Sequence, residues 1–205
     1  MHYTIQLLID FLFPPSPEEL KIRSLSTESL IKEFITAEKT EFPFINSIYS
    51  YKDPLVKELI RQIKYKKNKY AIKCASFALY HWLYKQNKKD CILIPIPNSK
   101  KRRKERGYNQ CELLIDEIIK LDLEKRFKKN YDLLIRPRDI ETQTLKNRNE
   151  RIENTKNIFE VSPIQVNKKI IIIDDVTTTG STLKEAYDKL LSAGYSDIEA
   201  LTFAH

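Results

Sequence analysis

The hydrophobic positions of this chain change rhythm near residue 90. Before it they recur at helical intervals. Leu55, Leu59 and Ile63 stand at i, i+4 and i+8 in PLVKELIRQIKY, opened by Pro54. A second helix is predicted from about Lys69 to Lys85, carrying Ile72, Phe77, Leu79 and Trp82. After residue 90, short apolar runs alternate with amphipathic stretches. CILIPIP, YDLLIR, KIIIIDD and IEALTFA read as strands, and FINSIYSY (44–51) adds one ahead of the first helix. NQCELLIDEIIKL and STLKEAYDKLLSAG read as helices, the latter with Leu183, Ala186, Leu190 and Ala193 on one side and Gly194 at its end. Strands alternating with helices, one strand being a continuous apolar run, predict an α/β fold with a parallel sheet covered on both faces.

The first 43 residues follow neither rhythm. Ile5, Leu8, Ile9 and Leu12 have helical spacing and predict a short docked helix; residues 14–43 are polar and punctuated by proline, a connector with a short helix. The apolar start is broken by Asp10, follows no Lys or Arg and has no small-residue cleavage site, so no export signal is expected. It is too short to span a bilayer, and a cytoplasmic location without a membrane span is the expectation. A chain of 205 residues buries one full core with a small appendage, and 41% hydrophobic residues exclude a disordered chain. The net charge of +8 calls for an anionic partner, either nucleic acid or a phosphorylated small molecule. Cys74, Cys91 and Cys111 form no C-x-x-C pair and the three histidines are isolated, which offers neither a zinc knuckle nor a disulfide framework.

The chemistry concentrates in IIIIDDVTTTGST, residues 170–182. Ile170–Ile173 supply a central parallel strand, and ligands of open α/β sheets bind beyond the carboxyl ends of such strands. Thr178, Thr179, Gly180, Ser181 and Thr182 then form a turn into a helix, presenting free N–H groups, hydroxyls and the positive end of a helix dipole to a phosphate. Gly180 lets the backbone come close. No lysine follows in the G-K-[ST] position of a triphosphate-binding loop. Asp174 and Asp175 would repel a phosphate, so they face something else, and the vicinal hydroxyls of a ribose accept that role. The expected ligand is a ribose bearing a 5-phosphate.

This stretch resembles the phosphoribosyl pyrophosphate (PRPP) signature of type I phosphoribosyltransferases. Other segments resemble the ComF/GntX family: DCILIPIPNSKKRRKERGYNQ (90–110), a strand ending in P-x-P and then basic residues and R-G-[FY]-N-Q; TQTLKNRNERIENTKNIF (142–159), with Gln143, Thr144, Arg151, Asn154 and Phe159; and YSYKDPLVKELIRQIKY (49–65), ending in Lys64-Tyr65. The resemblance implies a type I phosphoribosyltransferase domain over residues 49–205 behind an N-terminal helical segment, 1–48. Asp174 and Asp175 would hold the ribose hydroxyls, directly or through magnesium-bound water, and residues 178–182 would cradle the 5-phosphate. The basic loop with Lys100, Lys101, Arg102 and Arg106 would take the pyrophosphate, and the Gln143, Thr144 and Arg151 segment would act as a lid. Mg²⁺ is implied with PRPP. For Asn154 and Phe159 a structural and a functional role stand equal.

The departures matter. Family members usually follow an apolar start with a Cys-rich zinc module, whereas LLIDFLFPP here continues without cysteine, so no zinc is expected. Ile140 and Lys146 stand where Thr and Leu are frequent. Thr178 replaces the aspartate with which purine-salvage relatives contact the base, which disfavours that chemistry. Two functions follow: a Mg²⁺-dependent transfer of phosphoribosyl to an unknown acceptor such as a nucleobase, or a non-catalytic PRPP- or nucleotide-sensing factor of DNA uptake. The second would associate with single-stranded DNA or with competence and recombination proteins.

Overall fold

A computed structural model describes residues 34–137, 158–164 and 167–205, with helical backbone also at Pro17, Leu20 and Ser24. In chain order the elements are β1 (Ile45–Tyr49), α1 (Pro54–Lys66), α2 (Lys69–Lys85), β2 (Cys91–Pro95), α3 (Lys100–Arg106), α4 (Gln110–Leu121), β3 (Phe127–Lys129), β4 (Leu134–Ile135), β5 (Glu160–Val161), β6 (Lys169–Val176), α5 (Ser181–Ser192) and β7 (Ile198–Ala204). The sheet runs β1-β7-β6-β2-β3 with every pairing parallel, which is the α/β architecture of a type I phosphoribosyltransferase-like fold. β1 carries the chain across residues 48 and 49, and Phe34 packs against Tyr49 edge-to-face, so residues 34–48 share the core of this sheet.

The all-apolar run of β6 is explained by its place between β7 and β2. With neighbours on both edges and helices on both faces, every side chain from Ile170 to Ile173 is buried. Alternation divides them. Ile171 and Ile173 join Leu93, Leu201 and Phe203 against α1, α2 and α4, while Ile170 and Ile172 join Ile92, Ile94 and Ala200 against Leu183, Ala186 and Leu190 of α5. Burying those four isoleucines contributes about 1.5–3 kcal/mol each before entropy is counted.

Caps set where the helices begin. Asp53 Oδ1 accepts from the Leu55 amide at 2.8 Å, with Pro54 at the first helical position of α1. Asn68 Oδ1 accepts from Tyr70 and Ala71 to start α2, and Asn109 Oδ1 accepts from Cys111 to start α4.

Two local expectations are corrected. The basic stretch after β2 is not a loop: residues 100–106 form helix α3, whose Ser99 Oγ caps the Arg102 amide and whose Gly107, at φ 75°, ends it. YDLLIR is not a strand of the main sheet. That place belongs to Phe127–Lys129, and Leu134–Ile135 instead makes a two-residue antiparallel ladder with Glu160–Val161. Leu133 and Leu134 point into the core beneath α5, which accounts for the apolar run.

Candidate functional site

The carboxyl ends of β2 and β6 open onto a cleft of about 430 Å³. One wall is the chain from Asp174 to Thr182; the other is Ile96–Ser99 after β2 with Arg102 of α3. Lys64 of α1, Gln110 of α4, Arg136 and Ile158 complete it. The structure therefore brings Asp174, Asp175, Thr178, Thr179, Gly180, Ser181 and Thr182 into one lining. Of the basic residues singled out in the sequence, Arg102 lines this cleft, and Lys100, Lys101 and Arg106 do not. Arg106 donates instead to Gln110 Oε1 at 3.0 Å. Gln143, Thr144, Arg151 and Asn154 lie outside the described residues, as do Ile140 and Lys146. Phe159 is fully buried in the core beside α5, a structural role.

The two carboxylates differ. Asp175 is buried on the face of Ile171 and Ile173; its Oδ1 accepts from the Val176 amide at 2.9 Å, and Lys64 Nζ lies 3.1 Å from its Oδ2. That approach is an ion pair without hydrogen-bond alignment, so Oδ2 depends on charge alone among the described residues. Asp174 is part-exposed toward the cleft. Its Oδ1 accepts from the Asp175 amide at 2.9 Å and from the Cys111 thiol at 3.4 Å. Burial, and then the neighbouring Asp175 charge, push its carboxyl up to about 7, against the pull of the Asp175 amide and Lys64. Burial and the Asp174 charge push the Cys111 thiol well above its ordinary range, so it stays protonated and donates.

The turn after β6 leads into the N-terminus of α5 without a side-chain cap at Gly180. Gly180 sits at the N-cap of α5 with φ 73° and has no side chain to accept from the first-turn amides. Thr179 Oγ1 donates to Ser181 Oγ at 3.0 Å. A Cβ on Gly180 would stand 2.7 Å from Phe42 Cδ2 and 3.0 Å from Ile45 Cδ1. Glycine is required here both by its left-handed backbone and by Phe42 packed behind it, a reason that no local sequence pattern discloses. Thr178 takes part through its carbonyl, 2.9 Å from His205 Nε2.

Two residues of the lining escape sequence reasoning. Lys64 reads in the sequence as the end of the first helix of the family resemblance, and nothing there pairs it with Asp175. Arg136 lines the cleft beside Ile158, at the two ends of the segment outside the described residues, with its guanidinium 6.0 Å from the Phe159 ring. As a metal site, Cys111, Asp174 and Asp175 place their donor atoms within 4.8 Å of one another. A protonated thiol and a carboxylate already paired with Lys64 make a poor direct cage for a hard cation, which prefers oxygen and water. Of the three, Asp174, open to the cleft, is the donor that would fit Mg²⁺. No helix among the described residues is long and apolar enough to cross a membrane.

No protein-family model matches the chain. Competence protein ComFC of Bacillus subtilis is 32% identical over 159 residues, covering 72% of this chain and 58% of that protein. Competence protein ComFC of Streptococcus pneumoniae is 32% identical over 114 residues, 56% of this chain and 48% of that protein. Competence protein F of Haemophilus influenzae is 32% identical over 117 residues, 52% and 47% respectively. The chain spans about half the length of the curated relatives it matches.

Proposed function

The chain belongs to the ComF family, and on that footing we propose that it binds PRPP in the cleft at the carboxyl end of β6 and transfers the phosphoribosyl group to an acceptor. One observation carries this reading: an acid pair and a glycine-started helix lie side by side on the same cleft wall. The first-turn amides of α5 and the hydroxyls of Thr179, Ser181 and Thr182 hold the 5-phosphate. Asp174 accepts from the ribose hydroxyls. Asp175, drawn toward Lys64, fixes the position of its neighbour rather than touching ligand. Arg102 and Arg136 stand where the pyrophosphate leaves. Bound Mg²⁺ would supply charge neutralisation for that leaving group. Departure leaves a cationic ribose, and the protein's contribution is alignment, a fixed carboxylate and exclusion of water.

The names of the relatives place them in competence, and we assign this chain to the same process, the handling of incoming DNA. Incubating the protein with PRPP, Mg²⁺ and each common nucleobase in turn, while measuring released pyrophosphate, tests the transfer. Release with at least one base, lost in Asp174→Asn, supports it. PRPP binding with no release from any base removes the transfer and leaves a PRPP-sensing protein.

A further inference from the structure

Resting on the reading that the β6 cleft holds PRPP, we infer that a second cavity beside it receives the acceptor, a planar nitrogen heterocycle bearing a carboxylate. The cavity measures about 380 Å³, room for a single substituted ring. It forms where three parallel strands end together. Ser50, Tyr51 and Lys52 follow β1, His205 follows β7, and Thr177 and Thr178 follow β6. Backbone bonds fasten these exits: the Tyr51 amide donates to the His205 carbonyl at 2.7 Å, and the Thr177 amide to the Ala204 carbonyl at 3.0 Å. The His205 imidazole in turn holds the Thr178 carbonyl at 2.9 Å. Thr177 and Thr178 also line the PRPP cleft, so the two cavities meet at these residues. Their placement suits a displacement. β6 lies between β7 and β2 in the sheet. The second cavity is on its β7 side, while Ile96–Ser99 and Arg102, which face the leaving pyrophosphate, are on its β2 side. Nucleophile and leaving group must approach C1 of the ribose from opposite directions, and the sheet order sets them so.

The lining selects the class of acceptor. Tyr51 and His205 bring aromatic rings to the wall, which suits a flat ligand. Lys52 Nζ lies 3.8 Å from Glu38 Oε1, both exposed at the rim, so these two charges oppose one another. Lys57 of α1 instead has its ammonium 5.9 Å from the centre of the Tyr51 ring, and it is the unbalanced charge of the cavity among the described residues. A ring laid on Tyr51 brings an acidic substituent to Lys57, and the covering ring shields that charge-assisted hydrogen bond from water. A neutral ring would cover the ammonium and give it no partner. In the transfer, the ring nitrogen of the acceptor gives its electron pair to C1. The bond from C1 to the pyrophosphate oxygen breaks, pyrophosphate leaves with that pair, and the proton of the ring N–H passes to water at the open rim.

The test uses the full chain with PRPP and Mg²⁺ and acceptor pairs that differ only by the carboxylate: orotate against uracil, and imidazole-4-carboxylate against imidazole. Pyrophosphate release should favour at least one acid over its uncharged counterpart by about tenfold or more in kcat/KM. Lys57→Gln should abolish most of that preference, chiefly through KM. Tyr51→Ala should raise KM for the acid, and Tyr51→Phe should retain the wild-type value. None of the three variants should change the affinity for PRPP in titration calorimetry, which keeps this cavity distinct from the cleft. Absence of PRPP binding by the wild type would remove the cleft reading and this one together. With PRPP bound, three results overturn the acceptor cavity alone: neither acid releases pyrophosphate, the uncharged counterparts match both acids, or Lys57→Gln keeps the preference.

Discussion

Asp174 and Asp175 carry the same charge into unlike surroundings, and that difference is measurable. An acid whose folded pKa lies above its unfolded value keeps a proton in the native state that the unfolded chain has already released. Its contribution is therefore intact at low pH, falls as pH rises from about 4 toward 7, and stays lost above. Replacing Asp174 by Asn should stabilise the protein on the order of 1–2 kcal/mol at about pH 8, where the wild-type group is charged, and by little at about pH 5, allowing for its part exposure. Urea unfolding at the two pH values decides it; a gain confined to the lower pH would contradict the assignment. Lys64 works in the opposite sense. Its loss in Lys64→Met leaves Asp175 buried without a counter-charge, which should cost about 3 kcal/mol, and adding Asp175→Asn should recover more than half. Equal unfolding midpoints for the single and double variants would mean the pair is incidental.

At the scale of elements, the turn into α5 is the most demanding piece. Gly180→Ala meets a left-handed backbone and Phe42 at once and should lose about 2–4 kcal/mol, with Phe42→Ala returning part of it. Gly107→Ala faces nothing within 4 Å and should lose only the backbone share, about 1–2 kcal/mol. Comparable losses at both, by thermal unfolding, would rule out the packing contribution of Phe42. The elements legible in the sequence are those with a face. α1 and α5 have apolar stripes, and β6 has neighbours on every side, so each leaves a periodic or continuous signal. α3 has no buried residue at all and so no period to detect; only Ser99 and Gly107 mark its ends. β3 is three residues at a sheet edge, with Phe127 alone pointing inward, too short to alternate. The ion pair of Lys64 with Asp175 and the packing of Phe42 on Gly180 are long-range facts that no local pattern carries.

Across the whole molecule, the acid pair and the glycine-started turn into α5 share one cleft at the carboxyl end of the sheet, and Lys64 of α1 and Arg102 of α3 line it with them. The sequence reading gives Lys100, Lys101, Arg102 and Arg106 to pyrophosphate; in three dimensions Arg102 reaches the cleft lining, Arg106 turns to Gln110, and Lys100 and Lys101 are exposed. What the cleft holds is the central claim, and titration calorimetry of PRPP into the full chain, with and without Mg²⁺, tests it most directly. The account predicts Mg²⁺-dependent binding by the wild type, weakened at least about a hundredfold in Asp174→Asn/Asp175→Asn at an unchanged fold. No binding by the wild type, or equal binding by the double variant, would contradict it.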